Sequence, residues 1–139
     1  MIPRNAFMEY QELTEKIIGC AYNVYNKMGF GFLESVYEKC LLIEFGKQGL
    51  SAETQKPITI FYDGEMVGDF VVDMIVEDIV IVELKSVKQK AKVHEAQLVN
   101  YLVATGKPVG LIINFGEYKV DIRRRVRSLK HSKLSKNKN

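Results

Sequence analysis

Two β-strands joined by a tight turn are predicted for residues 68–85, which read GDFVVDMIVEDIVIVELK. The segment is rich in Val and Ile, the residue types that suit a pleated and buried surface. Three of its charged residues, Asp73, Glu83 and Lys85, interrupt the apolar parts of the two strands. A buried charge is unfavourable unless it is paired or coordinates a metal. These three residues therefore either face water or form a site.

The spacing of these charges predicts how the two strands pair. Glu83 and Lys85 are two residues apart, so they share one face of a strand. Asp73 joins that face only if it lies opposite Glu83, because a slip of one residue sends a side chain to the other face. A two-residue loop would pair Asp73 with Val82 instead. We therefore predict a three-residue connection or a bulge near residues 77–79.

Carboxylates that lie side by side, as Asp73 and Glu83 then would, repel each other. A divalent cation relieves that repulsion, and hard oxygen ligands suit Mg²⁺ or Mn²⁺. The alternative is a solvent-facing pair of strands with scattered charges.

Composition predicts one domain, since the chain has 139 residues of which 47% are hydrophobic. No apolar run approaches the ~20 residues of a membrane span, and the first residues lack the apolar core of a signal peptide. We therefore expect a cytoplasmic protein that does not contact a membrane. Cys20 and Cys40 lie in apolar helical patterns and are interpreted as reduced core residues.

Charge is distributed unevenly along the chain. From Arg123 onward there are eight Lys or Arg residues and no acidic residue, whereas residues 1–122 carry a net charge of −5. We predict a single domain over residues 1–126 and a basic tail over residues 127–139. Such a tail is typical of an arm that binds nucleic acid, and the alternative is a solvated end.

Hydrophobic periodicity predicts the order α-α-β-β-β-α-β-β. A strand hairpin followed by a crossover helix and another strand predicts an α/β fold, with a mixed sheet flanked by helices. In chain order we predict helices at about 8–28 and 32–48, strands within 52–62 and at about 66–76 and 79–85, a helix at 93–105, and strands at about 108–115 and 118–122.

The third predicted helix carries a polar stripe. His94, Gln97 and Tyr101 recur at helical spacing and so line one face. An amide and a phenol there can orient a substrate or a catalytic lysine, and His94 can contact a phosphate. The alternatives are an ordinary polar face and a structural histidine. The sheet-facing residues are predicted to be Val99, Leu102 and Val103.

Taken together, these motifs resemble the GxxExxY protein family. The resemblance covers roughly residues 10–125 and rests on Gly31-x-x-Glu34-x-x-Tyr37, Asp73, Glu83-Leu84-Lys85 and Gln97-x-x-x-Tyr101. That family is grouped with the PD-(D/E)XK nuclease superfamily, near the RecB-like and Cas4-like nucleases. The resemblance implies a restriction-endonuclease-like fold and hydrolysis of phosphodiester bonds.

The resemblance also implies a role for each matching residue. The metal ligands would be Asp73, Glu83, the Leu84 carbonyl and Glu34, the last directly or through water. Lys85 would position the attacking water and stabilise charge on the phosphate, supported by Gln97 and Tyr101. Tyr37 would be structural. A carboxylate such as Glu34 is also favoured in a first helical turn by the helix dipole alone.

Two functions from different classes remain open at this point. The first is a Mg²⁺- or Mn²⁺-dependent deoxyribonuclease, and the second is a catalytically inactive nucleic-acid-binding or scaffolding protein on the same fold. In both, the partner is nucleic acid, expected to be DNA. The basic residues expected to contact it are His94, Lys88, Lys90, Arg123, Arg124 and Arg125.

Overall fold

The computed structural model describes residues 10–88 and 92–127. Within these ranges the elements follow the predicted order α-α-β-β-β-α-β-β. The helices are α1 (Gln11–Met28), α2 (Glu34–Lys47) and α3 (Lys92–Thr105), and the strands are β1 (Ala52–Tyr62), β2 (Glu65–Val76), β3 (Val80–Lys85), β4 (Val109–Phe115) and β5 (Val120–Val126).

The strands form one mixed sheet in the order β1-β2-β3-β4-β5. Only β3 and β4 are parallel, and α3 is the crossover that a parallel pair requires. The predicted α/β architecture, a mixed sheet flanked by helices and consistent with a restriction-endonuclease-like fold, is confirmed.

The connection between β2 and β3 has the predicted three residues. Val76 lies opposite Val80, and the register continues through Met74 opposite Val82. Glu77 and Asp78 adopt left-handed backbone conformations, with φ of 54° and 57°. A three-residue connection in this conformation reverses the chain without shifting the register by one residue. Asp73 and Glu83 therefore stay on positions that share a face of the sheet, as predicted.

Each face of the sheet has its own apolar core. On one face, α1 and α2 pack against β3, β4 and β5, with Tyr37, Leu41 and Phe45 fully buried. On the other face, α3 packs through Leu98 and Leu102 against a smaller core that includes Ile81. We refer to these as the α1–α2 face and the α3 face. The charges of β3 lie on the α3 face, because Val82 and Leu84 alternate with them and face the larger core.

The prediction of which α3 residues pack on the sheet was partly wrong. Leu102 is buried as predicted, but its packing partner is Leu98, while Val103 is 44% exposed. Leu98 fits because β4 has a glycine beneath it: a Cβ on Gly110 would lie 2.6 Å from Leu98 Cδ1. The helix therefore presents an i, i+4 pair to the sheet and is rotated relative to the prediction.

The last strand extends further than predicted. It was expected near 118–122, but β5 spans Val120–Val126, so Arg123, Arg124 and Arg125 are strand residues rather than the start of a tail. Alternation along the strand separates the three side chains onto two faces. The predicted start of α1 near residue 8 and most of the tail, residues 128–139, lie outside the described residues.

Within the described ranges, no helix is both long and apolar enough to cross a membrane. The cytoplasmic location stays a prediction.

Candidate active site

The central strands β2 and β3 stop pairing where the first carboxylate lies. Their register ends at Met74, and its continuation places Asp73 opposite Glu83. At this position, hydrogen bonds between backbone N–H groups and carboxylate side chains replace the backbone hydrogen bonds of the strand ladder. The Leu84 N–H donates to Asp73 Oδ2 at 2.7 Å, and the Asp73 N–H donates to Glu83 Oε1 at 3.4 Å. Each carboxylate is thereby held against the backbone of the opposite strand, and the two are brought together.

A backbone irregularity in β1 lies beside Asp73. The pairing of β1 with β2 is interrupted at Gln55, whose φ is 52°. This conformation is uncommon for a residue other than glycine. Val72 packs into the α3-face core and Met74 into the opposite core, although an undisturbed strand would place residues 72 and 74 on one face. The alternation of side chains along β2 is therefore broken at Asp73. No feature of the sequence predicted this irregularity.

Glu83 is buried and lies beside another carboxylate. It is 9% exposed. Burial, and next the negative charge of Asp73, raise the pKa of Glu83 to about 8, while Lys85 acts in the opposite direction. Burial therefore disfavours the ionised form of Glu83, and the neighbouring charge of Asp73 adds to this effect.

Lys85 lies on the α3 face in a row of polar residues that crosses three strands. It pairs with Asn114 on β4, which pairs in turn with Asp121 on β5. Arg123, two residues after Asp121, lies on the same face of β5. A small cavity between this row and the start of α3 is lined by Lys85, Val87, His94, Glu95, Ile112, Asn114, Asp121 and Arg123.

The three members of the polar stripe predicted on α3 lie in different surroundings. Tyr101 stacks on Phe70, with ring centroids 3.9 Å apart. Burial, followed by the charges of Glu83 and Asp73, raises the pKa of Tyr101. His94 lines the cavity beside Lys85. Gln97 is exposed, so the stripe does not act as one unit in this structure.

The start of α2 is tied to the end of β3. The Ser86 hydroxyl donates to the Phe32 carbonyl at 3.0 Å. Tyr37 is fully buried, stacks on Phe115, and donates its hydroxyl hydrogen to the Gly29 carbonyl at 2.5 Å. The structural role expected for this tyrosine is therefore to hold the loop before α2. Glu34 is exposed at the first position of α2, close in sequence to that loop.

Comparison with known proteins identifies the fold and the family. Residues 11–126 match the sequence profile of the PD-(D/E)XK nuclease superfamily. The chain belongs to the PD-(D/E)XK nuclease superfamily. No match was found among curated proteins. The crystal structure of SSO0001 is similar, with a TM-score of 0.53 and 16% identity, over 95% of this chain and 67% of that one. At this identity the likeness concerns the fold alone.

Membership of the superfamily indicates a nuclease that acts on nucleic acid, and PD-(D/E)XK nucleases typically use divalent metals. Among the residues that the structure describes, no three His, Cys, Asp or Glu side chains are grouped to hold a metal. Asp73 and Glu83 meet, and Glu34 does not complete a group with them. Two carboxylates still fit Mg²⁺, which usually keeps several waters and takes one or two protein carboxylates. Their mutual repulsion is the feature that a cation would relieve.

The basic residues predicted to bind nucleic acid are dispersed. Arg123 lies at the cavity and pairs with Asp121 at 3.3 Å. Arg125 is on the same face but is bound to Glu95 of α3. Arg124 points to the α1–α2 face, where burial lowers its pKa. Lys88 is exposed and pairs with Glu117 at 3.2 Å, and Lys90 lies outside the described residues. The three arginines therefore do not form one patch.

Sequence reasoning missed Asn114 and Asp121, which lie on the α3 face of β4 and β5. Asn114 is 4% exposed and is one of few buried polar residues. A signal was present, because Asn114 is the single polar residue in the apolar run Gly110–Phe115. Such a residue needs partners for its amide when it is buried.

Proposed function

We propose that this chain is a Mg²⁺- or Mn²⁺-dependent nuclease that hydrolyses phosphodiester bonds of DNA. The observation that carries the proposal is the juxtaposition of Asp73 and Glu83 at the opening between β2 and β3, with Lys85 on the same face. Within the superfamily, the order of the motifs around Glu34, Asp73 and Lys85 supports a place in the GxxExxY family, near RecB-like and Cas4-like nucleases.

The metal would be held by the carboxylates of Asp73 and Glu83. Leu84 can contribute only its backbone, since its side chain is buried on the α1–α2 face. Glu34, exposed at the start of α2, suits a contact through water rather than a place among the inner ligands. When bound, the divalent cation lowers the pKa of a coordinated water and shields the phosphate charge.

Lys85 supplies the positive charge that this chain contributes beside the carboxylates. Its ammonium is a compact group with three donors. Placed on the same face as Glu83, it stabilises charge that develops on the phosphate and orients the attacking water. Tyr101, which stacks on Phe70 of β2, would position Lys85 or the substrate, and Gln97 would join it once substrate is bound. These roles for Lys85, Gln97 and Tyr101 follow the resemblance.

A path for nucleic acid is supported by the cavity beside Lys85. His94 and Arg123 line it, and Lys88 is exposed just beyond the end of β3. These groups place basic side chains beside the site, although residues 1–122 as a whole carry a net negative charge, which repels phosphate. Lys90 and the basic tail would extend the contacts to the flanking phosphates.

The second candidate is a nucleic-acid-binding or scaffolding protein without turnover. It is favoured by one observation, namely that the described residues group only two metal-ligating side chains where a third would strengthen the site. The candidates differ in metal-dependent cleavage, which the nuclease requires and the scaffold lacks.

The test is a cleavage assay on single- and double-stranded DNA and on RNA, with Mg²⁺, Mn²⁺ or EDTA. We expect cleavage of DNA with a divalent metal and none with EDTA. Asp73→Asn should abolish it, while Asp69→Asn should not, because Asp69 is an exposed residue of the same strand that contacts Thr59. Preferred cleavage of RNA would overturn the DNA assignment. Full activity in Asp73→Asn would exclude this site, and absence of cleavage in every reaction would favour the scaffold.

A further inference from the structure

The buried side-chain amide of Asn114 forms two hydrogen bonds with the backbone just beyond Lys85. Asn114 Oδ1 accepts a hydrogen bond from the Val87 N–H at 3.0 Å, and Asn114 Nδ2 donates to the Val87 carbonyl at 3.0 Å. Asn114 is 4% exposed, so the amide that makes both bonds is buried. Only one orientation of the amide satisfies both backbone groups, because one needs an acceptor and the other a donor.

These two bonds continue the sheet past the end of its backbone ladder. The β3–β4 register ends with Lys85 opposite Asn114. Two residues later, Val87 would have no partner strand, and the Asn114 side chain takes the place of one. The chain is therefore fixed on both sides of Ser86, whose hydroxyl in turn binds the loop before α2.

We propose that Asn114 is a positioning residue for Lys85, an inference that rests on the proposed nuclease function. By anchoring Val87, Asn114 fixes the direction of the backbone that carries Lys85 and so holds the ammonium beside Glu83 and Asp73. A displacement of about 1 Å in a reacting group lowers a rate by on the order of 10²-fold. The anchor therefore acts on the chemical step more than on binding.

A purely structural role makes a different prediction. Asn114 and Ile113 are neighbours on β4 and both are buried, but Ile113 faces the α1–α2 core, on the other side of the sheet from Lys85. Ile113→Ala is thus a matched control that weakens the same strand from its other face. If Asn114 served stability alone, the two variants would alter cleavage alike at equal folded fraction.

The experiment compares Asn114→Leu, Asn114→Ala and Ile113→Ala with the parent protein, each also combined with Lys85→Ala. Leu keeps a similar volume without the hydrogen bonds, and Ala avoids any crowding if the Leu variant does not fold. We expect both Asn114 variants to lower kcat roughly 10- to 100-fold. KM and Mn²⁺ affinity should change by less than about threefold, since no ligand is removed. In the Lys85→Ala background, the Asn114 change should add little, because both changes act through one group.

Crystal structures of the parent and the Asn114→Ala variant give a readout that does not require activity. We expect the Lys85 ammonium to shift relative to the Glu83 carboxylate. An unshifted ammonium, equal losses in Ile113→Ala, or independent effects in the double variants would overturn the proposal. If the parent cleaves no nucleic acid, the proposed function fails, and the crystal structures still decide whether Asn114 holds Lys85.

Discussion

Two buried glutamates show how neighbours decide what a carboxylate does. Glu44, on α2, is 8% exposed and Glu83, in the sheet, is 9% exposed, so the two residues have similar solvent exposure. Glu44 lies 2.8 Å from the Lys47 ammonium and 3.8 Å from that of Lys27. The hydrogen bond from Lys47 lowers the pKa of Glu44. For Glu83, burial and next the charge of the facing Asp73 raise the pKa to about 8.

The surroundings of Glu44 and Glu83 differ in whether the protein balances the carboxylate charge. The charge of Glu44 is balanced by the protein itself, which makes its ion pairs a link between two helices. The region of Glu83 has two carboxyls and one nearby ammonium, so it gains from an added cation. The difference supports the proposal that a metal and a substrate bind at the opening between β2 and β3, whereas the ion pairs of Glu44 stabilise the fold.

The largest expected effect separates the two glutamates by activity. Glu83→Gln should lower metal-dependent cleavage by roughly 10²-fold or more, because it removes a charged ligand from the metal that activates water. Glu44→Gln should leave kcat within about twofold wherever the protein is folded, since it contacts no reacting group. Initial rates with Mn²⁺ at matched folded fractions measure both. Comparable losses in the two variants would remove the distinction between the sites.

Lys85 is expected to matter for the reaction more than for binding. Lys85→Ala should lower cleavage about 10²-fold, the scale for loss of one donor to developing charge, while Mn²⁺ and DNA affinities largely persist. Lys85→Arg should rescue little, because a planar guanidinium does not replace a compact ammonium.

The control for Lys85 is Lys107→Ala, which removes a lysine that pairs with Asp78 at 2.8 Å in the distant connection between β2 and β3. Full cleavage by Lys85→Ala would contradict its role, and loss of metal binding would show a structural one.

The two glutamates should also have opposite effects on stability against pH. The raised pKa of Glu83 means that its stabilising contribution is present below the ordinary value of 4.5 and is lost as pH rises to about 8. In the metal-free protein, Glu83→Gln should therefore become more stable than the parent as pH increases. The change approaches about 1.4 kcal/mol per pH unit across that interval.

Glu44 has a lowered pKa, so its contribution is present above its ordinary value and is lost as pH falls through the folded-state pKa. The loss of stability in Glu44→Gln should then be constant between pH 6 and about 9. Urea denaturation with EDTA over this range measures both variants. A parallel pH dependence in the two would refute the contrast.

The smallest expected effect concerns the basic tail, which belongs to neither site. Residues 127–139 contain five Lys or Arg residues. Each phosphate that they neutralise contributes about 0.9 to the log–log salt dependence of binding to duplex DNA. Deleting the tail should flatten that slope and leave kcat unchanged. Replacing the five residues with Gln is the matched control, and an unchanged slope would show that the tail is a solvated end.

Sequence alone gave the elements and the pairing of the central strands, for a local reason. Side chains alternate between the two faces of a strand. Charges on paired strands therefore share a face only if the number of residues connecting the strands has the right parity, odd or even. That rule predicted the three-residue connection between Val76 and Val80 and the position of Asp73 opposite Glu83. Helical spacing likewise predicted all three helices, and the motif order indicated the nuclease superfamily.

Tertiary structure decided what each charge contacts. The irregularity at Asp73 lies beside Gln55 of the neighbouring strand, and Leu98 packs over Gly110, which lies on β4 beyond the end of α3. Arg125 is bound to Glu95 and Arg124 faces the other core, although the sequence presents both as one basic run. These outcomes depend on packing between elements distant in sequence, whereas periodicity reports only which residues of one element share a face.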